Sequence, residues 1–340
     1  MRVLVTGGGG FLGAAVCASL TDAGHEVSSF ARSTHTALAS LGVLQFQGDL
    51  RDEQAVSGAV AGHEAVVHCA AKAGTWGPER EFYETNVLGT RNVISACREH
   101  GVRRLVHTSS PSVVHCGEDL DGVDESAPYA TRFSSAYPRT KAEAERTVLG
   151  ANSPELATVA LRPHLIWGPG DPHFVPRVMA AAKAGRLRLL GAADKRIDTV
   201  YVDNAAEAHL LALERLQPGS PIAGRAYFIT QDNPQSTEDT LAALLWAVGL
   251  PPETRRVPRG LAKGAASALE FAYRALRVRA EPPLTRLVID HLGTAHWFDI
   301  SAARRDLAYF PRVSSTRGLL RLRASLAPVM QAPARTPPTK

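Results

Sequence analysis

The chain has 340 residues, 45% of them apolar, which is enough for one large domain or two closely joined ones with a full core and no need of disulfide staples. Its 38 basic and 33 acidic residues leave a net charge of +5, spread along the chain without blocks of one sign, which argues against a nucleic-acid binder. Four scattered cysteines (Cys17, Cys69, Cys97, Cys116) lack C-x-x-C spacing and twelve histidines lack H-E-x-x-H spacing, so free thiols and no metal site are expected.

Short β-branched runs at 2–6, 26–31, 43–48, 65–70, 104–109 and 158–163 alternate with helical patterns near 11–23, 52–60, 80–99 and 136–150. Such βαβ alternation predicts an α/β fold, a doubly wound parallel sheet with helices on both faces. Beyond the turn-rich WGPGDP stretch the pattern is less regular. A helix is expected near 174–185, a strand at 196–202, a helix near 203–216, a strand at 226–230 and a helix near 236–248. The reading is a dinucleotide-type domain over 1–165 with a returning segment at about 196–230. A smaller interleaved substrate portion takes 166–195 and 231–325, and a proline-rich disordered tail takes 326–340. The segment 260–279 is amphipathic, with Leu261, Ala265, Ala268, Leu269, Ala272 and Leu276 on one face and Lys263, Arg274 and Arg277 on the other. It reads as a helix packed on the domain, an apolar lid, or a surface that meets a membrane or a partner enzyme. The N-terminus runs straight into a strand without a signal-like apolar segment, and no run of about eighteen apolar residues occurs, so a cytoplasmic protein is expected.

The loop TGGGGFLG (6–13) lies between a predicted strand and a predicted helix. Gly7, Gly10 and Gly13 allow the tight turn and the close backbone approach that a pyrophosphate needs, and the helix N-terminus that includes Phe11 and Leu12 offers free N–H groups to the anion. In that context the loop predicts a Rossmann-like dinucleotide site. No carboxylate occurs between Val27 and Leu41 to hold both ribose hydroxyls; Arg32 and Ser33 stand there instead, and a guanidinium pairs with a 2′-phosphate. NADP is therefore favoured, with NAD open if Arg32 only stacks on adenine or points to solvent. Asp49, followed by Leu50, is placed either to accept from the adenine amino group or to cap the next helix.

Tyr137 precedes Lys141 by one helical turn on one face of the predicted helix 136–150. An adjacent ammonium favours the phenolate, so this pair reads either as an acid/base tyrosine with a lowered pKa or as an ordinary surface pair.

The stretches TGGGGFLG (6–13), HCAA (68–71), NVLGTRNV (86–93) and TSSPSVV (108–114), together with Tyr137 and Lys141, resemble the extended short-chain dehydrogenase/reductases over roughly 1–325. Residues 145–179 are similar to the sterol 4α-carboxylate and 3β-hydroxysteroid dehydrogenase branch. AAKAGTWG (70–77) and residues 283–298 are similar to the bacterial branch that reduces 2-alkyl-3-oxo acids in long-chain olefin biosynthesis. The resemblance implies that Tyr137 is the acid/base, that Lys141 binds the nicotinamide ribose and tunes Tyr137, and that Ser110 bonds the substrate oxygen, with Ser109 and Ser112 as competitors. It further implies that Ala70 and Ala71 pack by the cofactor, that Pro163 and His164 face the nicotinamide, that Asn86 bonds backbone, and that the chain is a homodimer. The implied reaction is NADPH-dependent reduction of the C3 ketone of an apolar β-oxo acid, with oxidation of a 3β-hydroxysteroid as the alternative. Lys72 is a candidate for the substrate carboxylate or a solvated loop lysine, and Trp76 is a wall of the alkyl cleft or a core residue. An intact Tyr/Lys pair argues against a non-catalytic dinucleotide sensor, and Thr108-Ser109-Ser110 in place of Thr-Asp-Glu argues against a nucleotide-sugar dehydratase.

Overall fold

The computed structural model describes residues 1–192 and 195–331. Its main sheet has seven parallel strands, β1 (Arg2–Thr6), β2 (Glu26–Ala31), β3 (Leu44–Gln47), β4 (Ala65–His68), β5 (Arg104–Thr108), β6 (Ala157–Pro163) and β7 (Arg225–Ile229), in the order β3-β2-β1-β4-β5-β6-β7. Every residue of β4 and β6 is buried, as continuous apolar runs between two helical layers require. One layer pairs the helix Phe11–Asp22 with Val202–Arg215, and the other sets Glu53–Val60 and Ala136–Gly150 against Gly89–Glu99. The strand order reverses between β1 and β4. In doubly wound sheets the crevice for a ligand opens at such a point, beyond the carboxyl ends of the strands. The glycine loop leaves β1 there, and residues 69–77 leave β4 beside it.

Several expected elements come out differently. The predicted helix 80–99 is three pieces: an α-turn at Glu79–Tyr83, a π-turn at Glu84–Leu88, and the α-helix Gly89–Glu99. The predicted strand 196–202 is two short strands in different sheets. Arg196–Ile197 joins Gln235–Ser236, His296–Phe298 and Leu120–Val123, while Val200–Tyr201 pairs with Ile166–Trp167. Asp198 divides them, its carboxylate accepting from the amides of Thr199 (2.8 Å) and Asn233 (3.1 Å). Leu120–Val123 thus lies in the smaller sheet, and the helix Ser301–Leu307 packs on β7 and on Val202–Arg215, so the two portions interleave across the expected boundaries. The helix Ser315–Gln331 runs into the expected tail, so 326–331 are helical; 332–340 lie outside the described residues.

One ion pair fastens the helix that carries Tyr137 to the sheet. Arg162 on β6 donates to both oxygens of Glu145 (3.0 and 2.7 Å), and Tyr129 donates to the same carboxylate at 2.7 Å. The side chains of Arg162 and Glu145 are 4% and 0% exposed. A pair this deep holds only because several hydrogen bonds offset its desolvation.

Candidate active site

Gly7 adopts a φ of +72°, which L side chains rarely accept, and its amide donates to the carbonyl of Phe30 at 2.7 Å. A Cβ on Gly7 would lie 2.8 Å from the Cα of Ala70, and one on Gly13 would run into the carbonyl oxygen of Gly7. The loop is therefore as compact as its composition suggests, with Gly10 as the N-cap of Phe11–Asp22 and no side-chain cap on that helix end. Its free amides suit a pyrophosphate. Phe11 also packs with Trp167 and Tyr201 in a neighbouring core cluster, and Leu12 against the main core. The cradle fits a dinucleotide on geometry alone.

Arg32 and Ser33 follow β2 and are exposed; among the described residues the Arg32 guanidinium has no hydrogen bond or ion pair. The ring of His35, which sequence reasoning passed over, lies against Gly9, so that a Cβ there would meet it. Ser33 Oγ touches His35 Nε2 at 3.2 Å, and the Gln45 amide binds the backbone N–H and C=O of His35 at 2.7 and 3.1 Å. The segment after β2 is thereby set against the glycine loop. Asp49 does not cap the following helix. Asp52 does, accepting from Ala55 N at 3.1 Å, while Asp49 accepts both the backbone and the guanidinium of Arg51, which holds its carboxyl below the usual range. Leu50 is buried against Gly89.

Tyr137 and Ser110 meet, and burial raises the phenol's pKa while the Ser110 hydroxyl bond lowers it in part. The Lys141 ammonium is not among the groups that shift it here. The ammonium instead donates to the carbonyl of Thr108 at 2.5 Å and lies 3.4 Å from His107 Nε2. To accept from an ammonium, His107 Nε2 must be unprotonated, which puts the proton on Nδ1, a buried atom without a partner. Lys141 is 3% exposed, and burial pushes its pKa down to about 8, against a counter-pull from Glu145 one turn on. Ser110 Oγ accepts from both the amide (3.2 Å) and the hydroxyl (2.9 Å) of Ser112. Ser112 is therefore a support for Ser110 and not its competitor, and with two acceptances filled Ser110 can only donate further. Ser109 Oγ is buried and unpartnered, away from this network.

The loop after β4 is braced by Asn86 on the π-turn. Its side chain accepts from Lys72 N (2.7 Å) and donates to Lys72 O (3.1 Å) and Thr140 Oγ1 (3.0 Å), which joins the loop to the helix of Tyr137. A π-turn at a functional site is a recurrent device, and no composition signal announces it. Asn86 thus bonds backbone, as expected. Ala70 N donates to Thr6 Oγ1 at 3.2 Å beside the glycine loop, and Ala71 is exposed. Lys72 is not a solvated lysine: its ammonium pairs with Glu81 at 2.9 Å and lies over the Phe82 ring. Trp76 is not a core residue either; it is half-buried, edge-on to Tyr273, and donates to Val278 O at 3.3 Å.

Pro163 ends β6, and His164 follows it, buried, with Nε2 3.0 Å from His296 Nδ1 and its own Nδ1 unpartnered. His115 and His291 pack edge-on against the same group. Burial holds all four rings below the ordinary histidine range, His115 at about 3. Sequence reasoning found only His164, because the other three come from separate elements. Leu165 next to it has a φ of +41°, an uncommon conformation for a γ-branched residue at the carboxyl end of the sheet. Among the described residues no group of histidine, cysteine or acidic side chains could hold a metal ion, and the four cysteines are free.

The chain is 50% identical over 331 residues to a 2-alkyl-3-oxoalkanoate reductase of Stenotrophomonas maltophilia, covering 96% of this chain and 100% of that one. It is 48% identical to the enzyme of the same name from Shewanella oneidensis, covering 96% and 86%. Its fold matches the Thermus thermophilus UDP-glucose 4-epimerase, solved in complex with NAD, with a TM-score of 0.72, 25% identity and coverage of 96% and 99%. Residues 4–259 match the profile of the 3-beta hydroxysteroid dehydrogenase/isomerase family. With a match of that extent on an extended short-chain dehydrogenase/reductase fold, the chain belongs to the 3-beta hydroxysteroid dehydrogenase/isomerase family and is an oxidoreductase.

Proposed function

We propose that the protein reduces the C3 ketone of a 2-alkyl-3-oxoalkanoic acid to the 2-alkyl-3-hydroxy acid, a step of olefin biosynthesis, with NADPH. When bound, the dinucleotide supplies the hydride. The observation that carries the reading is the meeting of Tyr137 and Ser110 at the carboxyl end of the sheet. Burial keeps the phenol protonated, and Ser112 leaves Ser110 with only a proton to give. A carbonyl oxygen seated between them receives two donors; run backwards, the same pair takes the proton from an alcohol, and the relatives' names support reduction as the working direction. As negative charge develops on that oxygen, the Tyr137 Oη proton passes to it while the single Ser110 hydroxyl proton stays donated to the same oxygen. Stabilisation that appears only as charge develops accelerates the step. Lys141 spends two of its three N–H donors within the chain, on Thr108 O and His107 Nε2. The third is left for a ribose hydroxyl. The unpaired guanidinium of Arg32 and the missing carboxylate after β2 support NADP over NAD.

The names of the 48–50% identical relatives support a β-oxo acid as substrate, and the family's name keeps a 3β-hydroxysteroid as the second reading. Lys72 reaches a substrate carboxylate only by leaving Glu81, so the geometry gives that role no support. The test is NADPH oxidation with a 2-alkyl-3-oxo acid, run beside NAD-dependent oxidation of a 3β-hydroxysteroid. The oxo acid is expected to give the higher kcat/KM, and preference for the steroid overturns the reading. Tyr137→Phe should lower kcat by about 10²–10⁴ while NADPH still binds. Arg32→Ala should raise the KM for NADPH about tenfold or more and leave that for NADH unchanged.

A further inference from the structure

The helix Arg259–Ala275 is packed polar side in. Its buried positions are Ala262, Ala266 and Glu270. Glu270 accepts from the backbone and guanidinium of Arg286 at 2.8 and 2.9 Å, and Lys263 and Arg259 reach Asp290 at 2.9 and 3.2 Å. The opposite face is exposed and apolar. Leu261 is 69% exposed, Phe271 75% and Leu276 75%, and between them run Gly264, Ala265, Ala268, Ala272 and Ala275, all exposed. Amphipathic helices of globular domains bury the apolar stripe, so this orientation calls for an apolar neighbour outside the fold.

The charge around that face selects the neighbour. Residues 259–280 hold five basic side chains and one acid; Arg259, Lys263 and Glu270 face inward to Asp290 and Arg286, which leaves Arg274, Arg277 and Arg279 as the charges beside the exposed face. Exposed Arg274, Arg277 and Arg279 cluster at the C-terminal end beside Phe271 and Leu276. A second copy is a poor fit. A helix of this length is ~25 Å long, and a face ~10 Å wide gives roughly a third of the ~800 Å² per partner that stable dimers bury. Leucine and phenylalanine on one side with arginines at the rim suit a surface that is greasy inside and negative at its edge.

We infer that the exposed face of helix Arg259–Ala275 docks the protein on an anionic lipid bilayer, with Leu261, Phe271 and Leu276 in the acyl region and Arg277 and Arg279 among the headgroups. The docked helix adjoins the active site. Tyr273 and Val278 hold Trp76, Glu281 binds the Thr75 hydroxyl, and the loop 72–77 is tied through Asn86 to the helix of Tyr137. A lipid-like substrate would enter from the bilayer beside that loop. Among the described residues no helix is long and apolar enough to span a membrane, so the attachment is peripheral and reversible.

The experiment is co-sedimentation of the full chain with vesicles of phosphatidylcholine alone and of phosphatidylcholine with phosphatidylglycerol. Binding to the anionic vesicles is expected, weakened at least tenfold by Phe271→Glu with Leu276→Glu and severalfold by Arg277→Gln with Arg279→Gln. Tm and turnover of a short water-soluble substrate should be unchanged in both. Failure of the wild-type chain to sediment with anionic vesicles overturns the proposal, as does equal sedimentation of the Glu variant. A dimer in solution that the Glu variant dissociates also overturns it and assigns the face to a second copy. The soluble-substrate assay separates any of these from failure of the reductase reading. If the Glu pair lowers Tm, Phe271→Ser with Leu276→Ser is read in its place, with the same expectation.

Discussion

Two regions of the molecule are held by carboxylate–guanidinium pairs, and they use them in opposite ways. Between helix Ala136–Gly150 and β6, the Glu145–Arg162 pair is sealed inside an apolar layer, and the surrounding core fixes where it sits. Between the helices Arg259–Ala275 and Arg286–Gly293, the ion pairs of Glu270 and Asp290 stand at the interface beside a small cluster of Leu190, Ala262, Ala266 and Ile289. The first pair fixes the helix of Tyr137 to the sheet; the second set, whose basic partners are partly exposed, joins two helices with a smaller core behind them. A pair with both partners sealed among apolar strands costs much to disturb, and a pair whose basic partner reaches solvent costs less.

The largest test of that contrast is Glu145→Gln, which strands Arg162 inside the layer. It should cost about 3–5 kcal/mol, read as a fall in the denaturant midpoint. A smaller loss there would mean that the layer tolerates a lone charge. Next comes the electrostatics of the same helix. Lys141 carries its charge below about pH 8 and loses it above, because its folded pKa lies under the ordinary 10.5. The kcat/KM for NADPH should therefore fall with rising pH above about 8, approaching tenfold per unit. Over the same window stability should gain from this group, since the unfolded chain holds the proton longer. In the other region Glu270→Gln should cost only about 1–2 kcal/mol, the worth of its bonds to Arg286. Lys263→Met should cost under about 1 kcal/mol in thermal unfolding, because the lysine side chain is 44% exposed. Reversal of the order of the two Glu→Gln variants would break the comparison.

The same contrast explains what could be read from the amino-acid sequence. Strands such as AVVH and ATVALRP are buried on both sides, so their composition announces them, and the glycine loop announces its own turn through Gly7 and Gly13. Tyr137, Lys141 and Ser110 were legible as residues, but not their electrostatics. The partners of Lys141 are Thr108 O and His107, and the tyrosine answers to burial and Ser110 instead of to the lysine one turn away. The periodicity of 260–279 showed two faces and could not say which is inside, because Asp290 and Arg286, which draw the polar face inward, lie beyond the helix. The π-turn at Glu84–Leu88 left no trace in composition, and the strand expected at 196–202 failed because Asp198 binds the amides of Thr199 and Asn233.

The ring of His35 against Gly9 couples two stretches of chain more than twenty residues apart. Any larger residue at 9 meets the imidazole, and making room turns the ring away from Ser33 beside Arg32. A substitution that moves the His35 ring is therefore also felt at the glycine loop, through Gly9.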